Sequence, residues 1–117
     1  MIIGDSTNIK TFAPIFIQGG VDVVAIESIN AALEKAKETH PNAIVFIVPV
    51  YWTPITHFVE NIRKEKGFDE MDVPIFYLGK LIEGEDQKIL QRYGVKTLTL
   101  GPVPKNEVVR FILKEIS

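Results

Sequence analysis

Ala43 to Val50 is apolar without a break, rich in Val and Ile, and follows the stop signal His40-Pro41. A run of this kind reads as a strand covered on both faces, and such strands sit at the centre of parallel sheets. In an open α/β sheet the functional crevice lies beyond the carboxyl ends of the central strands. Here that places Val48, Pro49, Val50, Tyr51 and Trp52 at its floor, with no acid, base, thiol or amine among them.

The flanking sequence alternates in the same way. Met1 to Ile3 starts a first strand, and Gly4-Asp5-Ser6-Thr7 turns it into a helix capped by Asp5, Ser6 or Thr7. Ile9, Phe12, Ala13, Phe16 and Ile17 form one helical face, interrupted by Pro14, which predicts a kink near Lys10 to Pro14 or a late helix start. Gly19-Gly20 closes that helix, and Val21 to Ile26 reads as a second strand. Ser28 caps a second helix with Ile29, Ala32, Leu33 and Ala36 inward. Thr53-Pro54 reads as a cap and first turn of a third helix, with Ile55, Phe58, Val59 and Ile62 inward.

Arg63 to Asp72 is a charged loop, and Val73 to Leu78 is a fourth strand with Pro74 tolerated at its start. A fourth helix spans roughly Glu85 to Tyr93, closed by Gly94. Lys96 to Leu100, the most polar strand, suits an edge. Gly101-Pro102-Val103-Pro104 leads into a last helix with Val109, Ile112, Leu113 and Ile116 inward. Five strands alternating with five helices predict a doubly wound parallel sheet, most simply of order 2-1-3-4-5, in a three-layer sandwich. No linker, repeat or low-complexity tract divides residues 1–117, which read as one domain.

Composition narrows the function. A net charge of -2 gives no electrostatic footprint for nucleic acid. The absence of cysteine excludes disulfides, thiol catalysis and thiolate-bound zinc, and suits the cytoplasm. No apolar run reaches the roughly 20 residues of a membrane helix, and the first residues lack a signal peptide's basic start.

Several short motifs, in order and nearly gap-free, resemble the receiver domain of two-component response regulators, the CheY-like superfamily. They are Asp5-Ser6-Thr7-Asn8-Ile9-Lys10, Asn61-Ile62-Arg63, Val73-Pro74-Ile75, Tyr93-Gly94-Val95 and Gly101-Pro102. The resemblance spans essentially the whole chain and implies the CheY-like, flavodoxin-like fold. Receivers carry an acidic pair, a phosphoaccepting Asp, a hydroxyl residue, an aromatic switch residue and a Lys. Counting from the motifs puts Gly4 and Asp5 at the acidic pair, Ile47 at the phosphoacceptor, Gly79 at the hydroxyl, Leu98 at the switch and Gly101 at the Lys. No carboxylate occurs from Thr39 to Val59, so a shifted register does not restore the phosphoacceptor. The resemblance therefore implies a pseudo-receiver, a domain with the fold but without phosphotransfer.

Asp5 is the one metal candidate, for Mg²⁺, but reads better as a helix cap; no metal or other cofactor is expected. Gly4 to Asn8 also resembles, loosely, a flavodoxin phosphate loop, and capping is again the better reading. His40 reads as an exposed helix end, and His57 as a solvated or packing residue near Trp52. Tyr51 and Trp52 are either a ligand or partner contact or a cover for the open end of the sheet. Val108 and Phe111 are expected partly outward on the last helix. Family receivers dimerise or dock through the fourth helix, fifth strand and fifth helix, which makes that face the first candidate for a protein partner or homodimer.

The reading is a non-enzymatic, receiver-like signalling domain that works by protein contact, without nucleic acid or membrane. A stand-alone domain is preferred, with a unit cut from a longer chain as the other possibility. The competing class is a flavodoxin-like domain that binds a phosphate or nucleotide, or catalyses, in a crevice of Gly4, Asp5, Pro49, Tyr51, Trp52, Gly79 and Gly101.

Overall fold

The computed structural model describes residues 1–47, 55–69, 71–79, 84–99 and 104–116. In chain order the elements are β1 (Ile2–Ile3), α1 (Ser6–Gln18), β2 (Ala25–Ile26), α2 (Ile29–Thr39), β3 (Ile44–Ile47), α3 (Ile55–Arg63), β4 (Ile75–Gly79), α4 (Glu85–Arg92), β5 (Lys96–Thr99) and α5 (Lys105–Ile116). The strands form one sheet of order β2-β1-β3-β4-β5, and every pairing is parallel. This is the architecture expected from the alternation.

Side chains alternate across a strand, so the sheet sorts its own residues into two cores. Ile3, Ile44, Phe46, Ile75 and Tyr77 face α2, α3 and α4, where they meet Ile29, Ala32, Ala36, Phe58, Val59, Ile62 and Leu90. Ile2, Val45, Ile47, Phe76 and Leu78 face α1 and α5, where they meet Phe12, Phe16, Val108, Val109 and Ile112. On the first face Phe58 meets Phe46 edge to face, with ring centroids 5.1 Å apart. Each such fully buried side chain contributes about 1.5–3 kcal/mol by leaving water.

Arg63, at the end of α3, closes the first face from below. Its Nε donates to Tyr93 O at 2.9 Å, and Nη1 donates to Phe68 O at 3.0 Å and Val73 O at 2.7 Å. One guanidinium thus ties together the ends of α3 and α4 and the approach to β4. His40 seals the neighbouring corner. It ends α2 in the left-handed conformation, φ 45°, with its N–H on Ala36 O at 2.8 Å and its ring 4.3 Å from that of Phe68. A non-glycine residue there carries strain, and the ring contact helps to offset it.

Three expectations need correction. Helix α1 starts at Ser6 and continues through Pro14, so there is no late start. Pro14 and Lys10 are both exposed, and a missing helix bond costs least where water reaches the carbonyl. The buried Phe12 and Phe16 hold the helix on either side.

The second strand is shorter than Val21 to Ile26. Its ladder neighbour β1 has only Ile2 and Ile3, which pair with Ala25 and Ile26. Before that the chain runs alongside, with Val24 O accepting from Ile2 N at 2.8 Å. Val108 is only 6% exposed, because it lies one turn before Ile112 on the sheet side of α5. The helix end at His40 is exposed, as expected, and its ring packs on that of Phe68.

Candidate functional site

The candidate site is built from the carboxyl ends of the strands. Parallel register sets Ile3 beside Phe46, which brings the next residues, Gly4 and Ile47, side by side. Gly4 donates its N–H to Ile26 O at 3.2 Å, fixing it against β2 as well. A Cβ added at Gly4 would lie 3.0 Å from Ile47 O and 3.4 Å from Ile47 Cβ. Gly4 therefore serves as a backbone contact between β1 and β3.

Ile47 pairs with Leu78, and Leu78 with Leu98. Ile47 and Leu78 are fully buried in the second core, and Leu98 packs against it half-buried. Gly79, beside Thr99 in the register, has φ 151°, a backbone geometry that suits glycine. The positions counted as phosphoacceptor, hydroxyl and switch thus carry hydrocarbon or no side chain. Hydrocarbon provides neither an oxygen for an acyl phosphate nor a donor for its charge.

Asp5 is half-buried and caps α1. Its extended backbone, φ -75° and ψ 166°, lets Oδ1 accept the N–H of Asn8 at 2.8 Å. One backbone donor that an anion would need at this helix start is already used by the carboxylate. Among the described residues no three His, Cys, Asp or Glu side chains converge to hold a metal ion. His57 is exposed, and its nearest polar neighbour is Asn61, which donates to His57 O at 2.7 Å and lies 3.3 Å from Nε2. The expected crevice contacts Pro49, Tyr51, Trp52 and Gly101 lie outside the described residues, as does the Thr53-Pro54 cap.

On the face formed by α4, β5 and α5, Phe111 is 44% exposed, whereas Val108 is turned into the core. Lys96 Nζ reaches Glu115 Oε2 at 2.6 Å and ties β5 to α5 beside it. The groups with shifted acidities sit elsewhere: burial lowers the Met1 amine to about 6 at the amino end of β1, and two more lie off the site. The backbone N–H of Asp72, aided by that of Met71, holds the Asp69 carboxyl below its ordinary value against the opposing effect of burial. Burial pushes the Tyr77 phenol up, on the α2–α4 side of the sheet. Neither group reaches the strand ends.

Arg63 entered the sequence reading as part of an Ile-Arg motif and as the start of a charged loop. Its structural partners are backbone carbonyls, which leave no signature in side-chain types. The one available signal was a cation placed at a helix end, where it complements the helix dipole.

No family model matches the chain, and no curated protein matches it in sequence. Solved structures do. The chain is similar to a CheY-like response regulator receiver domain from Methanospirillum hungatei JF-1, with 16% identity and a TM-score of 0.81 over 98% of this chain and 90% of that one. It is similar to the chemotaxis response regulator CheY4 of Vibrio cholerae, with 20% identity and a TM-score of 0.76 over 99% and 95%. A third likeness is to a streptococcal protein described as a redox sensor evolved from two-component response regulators. There the identity is 19% and the TM-score 0.79, over 98% of this chain and 50% of that one. The fold is the CheY-like, flavodoxin-like α/β fold.

Proposed function

We propose that this domain is a receiver-like signalling module that has given up phosphoryl transfer and works through protein contact. The observation that carries the reading is the fully buried Ile47, the residue that counting from the Arg63 motif puts at the phosphoacceptor, with the backbone of Gly4 packed against its carbonyl. The retained Asp5 supports it too, since its carboxylate is engaged in capping α1. The fold shared with receivers supports a signalling role, and the streptococcal relative is described as a sensor derived from the same stock.

On this reading the domain is not an enzyme and needs no Mg²⁺. Its partner surface is the α4, β5 and α5 face, centred on Phe111, and the occupant is a protein or a second copy of the chain. Phe111 is the exposed large apolar side chain of α5, and aromatic anchors of this kind dominate binding energy at interfaces.

The test is a titration with beryllofluoride and Mg²⁺, followed by the backbone amide resonances of Gly4, Asp5, Ile47, Gly79 and Leu98. Unchanged positions are the expected result. Saturable shifts at these residues would overturn the reading in favour of a phosphate-binding crevice. For the surface, sedimentation and partner capture with Phe111→Asp are expected to show weaker association than the parent chain.

A further inference from the structure

The second core does not close at every edge. Val21, Val23, Leu113 and Ile116 pack against it while remaining partly exposed, and all four line one groove of about 920 Å³ at the amino ends of β1 and β3. Pockets that take small organic ligands fall in the range of roughly 300–1,000 Å³, with mostly apolar walls and a few polar groups.

Most polar groups along this groove are already engaged. The Met1 ammonium donates to Ala43 O at 2.8 Å, the Thr39 hydroxyl donates to Lys35 O at 2.8 Å, and the His40 ring stacks on Phe68. Lys114 has a partner as well. Two charges remain. The Asp22 and Arg110 side chains are exposed and line the same groove, yet form no ion pair with each other or with any other described residue. The free charges of the groove are thus one carboxylate and one guanidinium, and they cancel.

Their placement follows from one contact. Gly19, just past α1, lies against Leu113 of α5, whose Cδ1 a methyl at residue 19 would strike. Asp22 follows Gly19 by three residues, and Arg110 precedes Leu113 by three, about one helical turn. Two or three extended residues span about 7–10 Å, so one short peptide lying along the apolar rim reaches both charges.

We propose that this groove binds a short zwitterionic peptide with apolar side chains. Its terminal carboxylate meets Arg110, its terminal ammonium meets Asp22, and its side chains cover Val21, Val23, Leu113 and Ile116. A guanidinium takes a carboxylate through two parallel hydrogen bonds, and covering the half-exposed aliphatic wall removes apolar surface from water. An anion or a cation alone matches one of the two charges and opposes the other. The site lies at the opposite end of the strands from Gly4 and Ile47, so it stands apart from the proposed signalling role.

The test titrates the intact chain with the dipeptide Leu-Leu and with its two singly blocked forms, N-acetyl-Leu-Leu and Leu-Leu amide, followed by backbone amide resonances. Saturable shifts centred on Gly19, Gly20, Val21 and Ala43 are expected with Leu-Leu, and about fivefold weaker binding with each blocked form, the upper range for an exposed ion pair. Arg110→Gln is expected to weaken Leu-Leu about fivefold and to leave Leu-Leu amide, which has no carboxylate, unchanged. Asp22→Asn is expected to weaken Leu-Leu to the same degree and to leave N-acetyl-Leu-Leu unchanged. A general loosening of the fold does not produce this crossed pattern. Equal binding of the three forms, or variants that weaken all of them alike, would overturn the proposal. So would shifts that do not saturate, or shifts at the same amides that grow with chain concentration before any peptide is added, which would give the groove to a second copy.

Discussion

The two faces of the sheet are built from the same strands yet close to different degrees. Toward α2, α3 and α4 the core is sealed by Phe68, Val73 and Val95 from the connecting segments and clamped by Arg63. Toward α1 and α5 it is sealed at the carboxyl ends by Ile47 and Leu78 and left open at the amino ends, where Val21, Val23, Leu113 and Ile116 stay partly exposed. The difference follows from connection chemistry. The last residue of α3 supplies an arginine and the loop after it a phenylalanine to finish one face, and a strand that starts late lies at the unfinished edge of the other.

The sharpest way to break this contrast is a matched pair of truncations. Ile62→Ala removes a fully buried side chain from the sealed face and is expected to cost about 3–4 kcal/mol in urea unfolding. Leu113→Ala, at the open groove, is expected to cost about 1 kcal/mol, because much of its transfer is incomplete in the native state. Equal losses would mean that both faces are closed.

Arg63→Met keeps the apolar stem while stripping the donors from the carbonyls of Phe68, Val73 and Tyr93. We expect a loss of about 2 kcal/mol and faster amide exchange at Val95 and Phe68. Asp5→Ala, at the start of α1, is expected to cost about 1 kcal/mol, with exchange quickened at Asn8 alone.

The smallest effect concerns pH. The Asp69 carboxyl is depressed in the folded chain, so its contribution is present above the ordinary carboxylate value and is lost as pH falls through the depressed one. Asp69→Ala is expected to flatten the stability profile slightly below about pH 4. The Tyr77 phenol acts in the opposite sense. It is raised by burial, so its share is present below the ordinary phenol value and lost as pH rises above about 10.

Much of this was legible in the residues themselves. The apolar run from Ala43 marked the central strand, helix stripes such as Phe58, Val59 and Ile62 announced their buried sides, and register counting set Gly4 and Ile47 at one site. Strand order rested partly on the receiver resemblance, since alternation alone allows other parallel arrangements. What escaped depended on neighbours in space. Val21 to Val24 has the composition of a strand, but a ladder needs a partner, and in the parallel register β1 begins at Ile2, opposite Ala25. Val108 looked outward because a helical stripe has soft borders that only packing decides. Arg63 was missed as a clamp because carbonyl groups belong to every residue alike. The tightness of Gly4 against Ile47 O arises from strand spacing, which residue types do not encode.

The borders of the sheet carry a final consequence, for how copies of the chain behave in a crowd. One border, β2, is two residues long, and the other, β5, carries Lys96 held by Glu115. An edge that is short, or that displays a fixed charge, offers little template on which a foreign strand can grow. Amyloid-like stacking through the sheet is thereby disfavoured, and encounters between copies are steered to helical surfaces instead.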